Sequence, residues 1–123
     1  MNESAEDYIK TIYILMRRNA CVHSVDIARE LGFSRASVSA AMTNLRGKEI
    51  IVMKKNGEIK FTEKGERIAA DIYEKHSTLS GFLQLVAGVD EQTAKDDACR
   101  MEHHISDSTY DGIKQYISKR SQS

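Results

Sequence analysis

The sequence predicts a mainly α-helical protein with one small β-hairpin. Its 123 residues include no proline and only seven glycines, so few positions interrupt a helix. Apolar residues recur three and four positions apart along most of the chain, which is the spacing of one helix face. The exception surrounds Asn56-Gly57, where two short apolar runs flank the strongest short-range hairpin signal.

Composition and charge narrow the class of protein. The sequence has no run of about 18 apolar residues and no apolar stretch after its start, and its two cysteines give no disulfide framework. We therefore expect a cytoplasmic protein with no membrane partner. Residues 1–62 carry ten Lys and Arg against seven Asp and Glu, a net +3, whereas residues 63–123 carry eight against eleven, a net −3. The N-terminal half is the one suited to an anionic partner.

Residues 4–18 are predicted to form the first helix, because acids near the start favour helix initiation and an apolar stripe follows. The stripe comprises Tyr8, Ile9, Ile12, Leu15 and Met16. Asp7 lies beside this stripe, one turn from the start. On the residues alone, Asp7 is best interpreted as an early acid that the helix dipole favours.

Two capped helices follow in quick succession. Ser24 is predicted to cap a short helix over 25–31 that Gly32 ends, and Ser34 to cap a second helix over about 35–48. Three residues of the second helix are expected to face inward: Val38, Met42 and Leu45. This order is that of a helix-turn-helix.

The outward face of the second helix is mostly small and polar. It comprises Ser34, Arg35, Ser37, Ser39, Ala40 and Thr43. Small side chains let a helix enter the major groove of DNA, hydroxyls can bond phosphates or base edges, and Arg35 can reach guanine or phosphate. Such faces also occur in tight helix packing and on plain surfaces, but the preceding short helix and the two caps favour DNA binding.

The hairpin that follows completes a winged helix. Strands are predicted at 50–53 and 58–61. Lys54 and Lys55 lie at the tip, where they suit contact with the phosphate backbone beside the groove. We therefore assign residues 1–62 to a winged helix-turn-helix DNA-binding domain.

Residues 63–123 are predicted to form a helical domain. Thr62 should cap a long helix over about 63–86, Asp90 a second helix, and residues 106–119 a last one. The apolar surplus of these helices is where we expect the two-fold contact of a homodimer. His76 lies within the apolar stripe of the long helix, where a lone histidine is more often a hydrogen-bonded core residue than a metal ligand.

One stretch of this helical domain carries candidate metal ligands. On a helix over 96–104, Cys99, Glu102 and His103 share a face. A thiolate, a carboxylate and an imidazole can hold a divalent transition metal, and a further donor from elsewhere would complete the site. The simpler interpretation is a buried cysteine beside a solvated Glu-His pair, and the motif alone does not exclude it.

Taken in order, these features resemble the metal-dependent repressors typified by the diphtheria toxin repressor and the manganese transport regulator. The resemblance runs from about Glu6 to Ile117, and four features carry it: Glu6-Asp7-Tyr8-Ile9, Phe61-Thr62-Glu63-Lys64-Gly65, His76 on the long helix, and Cys-x-x-Glu-His. It implies a repressor of metal-homeostasis genes, in the short form with a helical dimerisation domain. In a dimer, two recognition helices about 34 Å apart would read palindromic double-stranded operator DNA.

The same resemblance implies a metal site formed by Asp7, Cys99, Glu102 and His103, with His76 at an accompanying position. Asp7 matches the manganese-type pattern and Cys99 the iron-type pattern. A thiolate disfavours Mn(II) relative to Fe(II), Co(II), Ni(II) or Zn(II). We therefore expect Fe(II) as the effector and Mn(II) next, with Zn(II) or Co(II) able to bind in vitro.

The family's second metal site is not expected to be complete in this chain. Lys10 stands where manganese-type members have a glutamate. Ser80 and Lys95 stand where iron-type members have an acid and a second histidine. A cation at a ligand position opposes metal binding, so His76 either completes the single site or supports it from outside.

Two other functions remain open on the sequence. One is a small metalloenzyme, in which the Cys-x-x-Glu-His site activates water and His104 or His76 acts as the base. The other is a metal-independent winged-helix redox sensor that uses Cys99. No nucleophile motif supports the enzyme, and it would leave the winged helix unexplained.

Overall fold

The computed structural model describes residues 2–122 and shows six α-helices, a π-helical turn and a two-stranded antiparallel sheet over that range. The order is α1 (Glu3–Arg18), α2 (Ser24–Leu31), α3 (Arg35–Gly47), β1 (Ile51–Met53), β2 (Ile59–Phe61), α4 (Glu63–Phe82), the π-helical turn (Leu83–Ala87), α5 (Glu91–Met101) and α6 (Asp107–Gln122). No helix in this range is long and apolar enough to cross a membrane. The chain forms two compact units that divide inside α4, between Ile72 and Tyr73. The predicted fold class is confirmed.

The N-terminal unit has one apolar core to which α1, α2, α3, both strands and the start of α4 contribute. Its most deeply buried members are Ile9, Ile12, Ile27, Val38, Met42, Leu45, Ile50, Ile51, Ile59 and Ala69. Burial of each large aliphatic side chain contributes about 1.5–3 kcal/mol. This core therefore fixes α2 and α3 against each other.

The first two helices begin one residue earlier than their predicted starts. α1 begins at Glu3, with Asn2 as its N-cap. α2 begins at Ser24, so this serine is the first helical residue and His23 is the N-cap. The Asp26 carboxylate accepts the His23 backbone N–H at 2.8 Å, and this bond satisfies a donor at the helix start.

The turn between α2 and α3 has the predicted chemistry. Gly32 adopts a φ of 69°, in the left-handed region, and its N–H bonds to the Ala28 carbonyl at 2.8 Å. Ser34 caps α3, because its Oγ accepts the Ser37 N–H at 3.1 Å. Val38, Met42 and Leu45 are all buried. The helix-turn-helix prediction is confirmed at Gly32, at the Ser34 cap and at the inward face of α3, whereas the predicted cap at Ser24 is wrong because His23 takes that position.

The hairpin is antiparallel and has the predicted turn. Its register pairs Ile51 with Phe61, Val52 with Lys60 and Met53 with Ile59. The Gly57 N–H bonds to the Lys54 carbonyl at 2.8 Å, and Gly57 has a φ of 88°. A left-handed residue at this position favours glycine.

A close backbone approach joins the wing to the start of α4. Thr62 caps α4 by accepting the Gly65 N–H at 3.0 Å, and the Thr62 N–H bonds to the Ile50 carbonyl at 3.0 Å. A Cβ built on Gly65 would lie 1.9 Å from the Ile50 carbonyl oxygen. Only glycine fits here without moving the backbone.

The C-terminal unit differs from the predicted helices mainly at helix ends. The long helix is α-helical only to Phe82 and continues as the π-helical turn, which ends at Gly88 with a φ of 69°. α5 packs against this π-helical turn. Asp90 caps α5 as predicted, because its carboxylate accepts the Thr93 N–H at 2.7 Å.

Candidate DNA interface and metal centre

The face of α3 predicted to read DNA is exposed. Its five hydrogen-bonding members are all open to solvent: Ser34, Arg35, Ser37, Ser39 and Thr43. The opposite face of the same helix is in the core, so α3 is held rigidly while its outward face stays open. Insertion of a helix into the major groove requires this arrangement.

Several hydroxyls of this face already hold hydrogen bonds within the helix. Ser34 Oγ donates to Ser37 Oγ at 3.0 Å, and Thr43 Oγ1 donates to the Ser39 carbonyl at 3.0 Å. These bonds keep the short side chains close to the helix surface. Arg35 is the one long side chain of the set, so it is the member best able to reach a base edge or a phosphate.

The wing presents the predicted lysines together with two residues that sequence analysis missed. Lys54 and Lys55 are exposed at the tip. Lys54 Nζ lies 3.3 Å from Glu58 Oε1, and Lys60 Nζ lies 3.2 Å from Glu58 Oε2. The hydrogen bond from Lys60 is the main cause that holds the pKa of Glu58 below its usual value, and Lys54 adds to the effect. Alternation along β2, with Ile59 inward and Lys60 outward, is the signal that could have identified Lys60.

Three of the predicted metal-site residues meet in the C-terminal unit. His76 Nδ1 lies 2.9 Å from Glu102 Oε2, and His103 Nε2 lies 3.4 Å from Glu102 Oε1. The exposed fractions of the Glu102, His103 and His76 side chains are 3%, 4% and 12%. An ionised carboxylate can only accept, so when Glu102 is ionised the His76 Nδ1–H is the donor in this pair. The buried carboxylate therefore lies between two imidazoles.

The stretch that carries the Cys-x-x-Glu-His motif is not one continuous helix. α5 ends at Met101, Glu102 is its C-cap, and His103 lies in the following turn. The prediction of a helix through His104 is therefore wrong. The N–H groups of His104 and Ile105 both bond to the Met101 carbonyl, and this arrangement closes the helix without a glycine or proline.

Cys99 and Glu102 nevertheless keep the predicted relation. The Glu102 N–H bonds to the Ala98 carbonyl at 2.9 Å, and the Glu102 backbone is still right-handed helical. Residues three apart on a helix share a face, and Cys99 is partly buried there. His103 approaches the same carboxylate from the turn rather than from the helix.

Asp7 lies in the second turn of α1, in the N-terminal unit. Its side chain is 34% exposed, and its Oδ1 lies 3.8 Å from Lys10 Nζ. The Lys10 side chain is only 8% exposed. The largely buried Lys10 side chain therefore places a cation beside Asp7, and the role of Asp7 as a ligand stays a prediction.

The side chains of the C-terminal unit fit a transition metal rather than a hard cation. They offer imidazole, carboxylate and thiol donors within one turn of chain and on the neighbouring α4. Mg²⁺ and Ca²⁺ prefer sites made of oxygen alone, whereas nitrogen and sulfur donors favour Fe, Co, Ni or Zn.

Two family models match the chain. The model of the iron-dependent repressor N-terminal DNA-binding domain matches residues 1–59, and that of the iron-dependent repressor metal-binding and dimerisation domain matches residues 62–123. The chain belongs to the iron-dependent repressor family. The resemblance inferred from its motifs is confirmed.

Similar proteins agree with this membership. An HTH-type transcriptional regulator of Methanocaldococcus jannaschii is 31% identical over 97% of this chain and 96% of that protein. The transcriptional regulator MntR of Escherichia coli O6:H1 is 33% identical over 95% of this chain and 75% of that protein. The structure of the metal-dependent transcriptional regulator MtsR is 25% identical with a TM-score of 0.85, over 96% of this chain and 55% of that one. The chain spans about half the length of the solved MtsR and SloR structures that it matches.

Family membership decides between the functions that the sequence left open. The protein is a metal-dependent transcriptional regulator with a DNA-binding domain and a dimerisation domain. The alternative of a small metalloenzyme is not favoured.

Proposed function

We propose that this regulator is a cytoplasmic homodimer that represses metal-homeostasis genes when Fe(II) or Mn(II) occupies one site in each subunit. The observation that carries the proposal is the buried Glu102 carboxylate between His76 and His103, in a chain whose α3 presents an open polar face. We also propose that the boundary between the two domains lies after residue 62. One family model ends at residue 59 and the other begins at residue 62, so the two models meet close to this position.

The proposed ligands are Asp7, Cys99, Glu102 and His103, and His76 supports them. A bound divalent cation would offset two of the three negative charges of the two carboxylates and the thiolate, and so relieve most of their mutual repulsion. His76 donates to Glu102 and so fixes the orientation of that carboxylate. A supporting hydrogen bond of this kind typically contributes a factor of about 10–100 to metal affinity.

The coupling to DNA passes through α1 in this proposal. Asp7 lies on α1, and α1 packs against both α2 and α3 in the N-terminal core. An Asp7 carboxylate held by a cation orders α1, and the core transmits that order to the angle at which α3 is presented. Coupling of about 1–3 kcal/mol, typical of allosteric pairs, would change DNA affinity about 5–150-fold.

The donor set also supports the choice of metal. Cys99 supplies a soft thiolate, which favours Fe(II) over Mn(II), whereas Asp7 and Glu102 suit either ion. Zn(II) and Co(II) bind such mixed nitrogen, oxygen and sulfur sites as well, so both should occupy the site in vitro. We propose Fe(II) first and Mn(II) second as the physiological effector.

The proposed DNA target is a palindromic operator. A homodimer presents two copies of α3, and two-fold symmetry in the protein matches a palindrome in the duplex. Arg35 is the proposed base or phosphate contact, the hydroxyls of α3 are additional contacts, and Lys54 and Lys55 are proposed to hold the flanking backbone.

The surface of the π-helical turn and of α6 supports the proposed homodimer. Leu85, Val86 and Tyr116 are 43–53% exposed although they are large and apolar. Leu85 also lines an open cavity of about 470 Å³, together with Gly81 and Ile117. Exposed apolar residues grouped in this way are typical of an interface between subunits.

The experiment that tests this function starts from an operator enriched from a random pool of duplexes. Its affinity is measured by fluorescence anisotropy under anaerobic conditions with Fe(II), Mn(II), Co(II), Zn(II) or a chelator. We expect binding to be about 5–150-fold tighter with Fe(II) or Mn(II) than with the chelator. Equal affinity with and without chelator, together with loss of binding after peroxide, would favour the redox sensor at Cys99.

A further inference from the structure

Two wing lysines share a single buried counter-charge. Glu58 pairs with Lys54 through one carboxylate oxygen, at 3.3 Å, and with Lys60 through the other, at 3.2 Å. The Glu58 side chain is 9% exposed, whereas those of Lys54 and Lys60 are 56% and 48% exposed. The carboxylate is thus enclosed while both ammonium groups face solvent.

The backbone holds Glu58 in place more firmly than it holds the two lysine side chains. The Glu58 N–H bonds to Asn56 Oδ1 at 2.9 Å, and the Glu58 carbonyl accepts the Lys54 N–H at 2.9 Å. Both bonds belong to the hairpin turn. A lysine side chain has four rotatable bonds and can turn its ammonium group away, whereas the enclosed carboxylate cannot follow. The lysines can therefore exchange this partner for another anion.

We propose that Glu58 competes with DNA phosphate for Lys54 and Lys60, and so limits how tightly the wing binds DNA of any sequence. The proposal rests on the DNA binding proposed above. In the free protein the two carboxylate oxygens take the positions that phosphate oxygens would take on the duplex. Each subunit must break two ion pairs before both lysines reach the backbone, and a carboxylate then remains beside the DNA.

For the regulator, this competition lowers the level of nonspecific DNA binding. Phosphate contacts carry no sequence information, so an internal competitor for them weakens the binding of operator DNA and of nonspecific DNA by the same factor. Binding then depends more on α3. A lysine–carboxylate pair at the surface is worth a factor of about 1.5–5 in an equilibrium constant. Because the two lysines of a subunit share one carboxylate, we count the value of one such pair per subunit, and a dimer is expected to lose about two- to twenty-five-fold in DNA affinity.

The test is Glu58→Gln, which keeps the side-chain shape and the backbone bonds but removes the charge. Affinity for a mixed-sequence duplex and for the enriched operator is measured with Mn(II) between about 50 and 200 mM KCl. We expect about two- to twenty-five-fold tighter binding to both duplexes and a steeper salt dependence, because no carboxylate near the DNA retains a counterion. The matched control is Glu91→Gln, which removes the same charge from an exposed pair with Lys95 on α5.

A double-mutant cycle shows whether the lysines mediate the effect. With Lys54 and Lys60 both changed to Gln, the additional Glu58→Gln change should no longer tighten binding. An affinity of Glu58→Gln that is unchanged, or weaker than wild type, would overturn the proposal, as would an equal gain from Glu91→Gln. If wild-type protein binds DNA no better with Mn(II) than with chelator, the proposed function fails. That result is measured on the wild-type protein alone, so it is distinguishable from a failure of the proposal about Glu58.

Discussion

Gly65→Ala tests the close approach that joins the wing to α4. The added Cβ would lie 1.9 Å from the Ile50 carbonyl oxygen and 2.8 Å from its carbon. Backbone atoms cannot rotate aside as the end of a side chain can. The same carbonyl accepts the Thr62 N–H at 3.0 Å and the Thr62 hydroxyl at 3.2 Å. Any movement that relieves the clash therefore also lengthens two hydrogen bonds.

The expected loss follows from these terms. Overpacking costs about 1–3 kcal/mol, and two weakened hydrogen bonds add about 1–2 kcal/mol. Alanine returns up to about 1 kcal/mol through its better helix propensity. We therefore expect Gly65→Ala to lower the free energy of unfolding by about 2–4 kcal/mol, a large part of the 5–15 kcal/mol typical of a domain.

Urea denaturation followed by circular dichroism measures this loss. The matched control is Gly47→Ala at the end of α3, where a Cβ meets nothing within 4 Å. The control should be neutral or stabilising by up to about 1 kcal/mol. A Gly65→Ala protein within about 0.5 kcal/mol of wild type would refute the steric argument, because such a change is typical of a surface substitution.

Three further predictions concern the two proposed sites and one helix cap. Arg35→Ala should weaken operator binding by about 1–3 kcal/mol while metal affinity measured without DNA is unchanged; a parallel loss of metal affinity by calorimetry would contradict this. Glu102→Ala should abolish the metal dependence of operator binding while sedimentation still shows a dimer; metal-dependent binding at the wild-type metal concentration would refute the ligand assignment. Hydrogen bonds from the Thr93 hydroxyl and N–H lower the pKa of Asp90 below its ordinary value. The Asp90 carboxyl therefore binds a proton more weakly in the folded state than in the unfolded chain. Its ionised form stabilises the fold at pH values above the ordinary pKa, and this contribution is lost as pH falls through the lowered pKa. Wild-type apoprotein should accordingly lose stability relative to Asp90→Asn between pH of about 7 and 3 in urea titrations, and a constant difference would disprove the effect.

The DNA-binding half could be predicted largely from the sequence because local chemistry determines it. Ser34 caps α3, Gly32 takes the left-handed turn, and Asn56-Gly57 closes the hairpin. Each of these features depends on residues within a few positions of one another. Their order along the chain then restricts the fold to a helix-turn-helix followed by a wing.

Features that depend on partners distant in sequence, or on helix ends without a breaker, were not predictable in the same way. Residues 102–111, which follow Met101, include no glycine or proline, so apolar spacing alone extends α5 too far. The pairing of His76 with Glu102 joins residues 26 positions apart. From the sequence, His76 could be assigned to the metal site only through the resemblance to the repressor family. The partners of Glu58 are close in sequence, but a strand prediction does not show that the side chains of Lys54 and Lys60 reach the same carboxylate.

The central claim is that occupancy of the metal site and binding of operator DNA are coupled. Titration calorimetry of Fe(II) or Mn(II) into the anaerobic protein, with and without saturating operator, tests it most directly. Linkage requires that DNA tighten metal binding by the same factor by which metal tightens DNA binding, about 5–150-fold. An equal metal affinity in the presence and absence of operator would contradict the account.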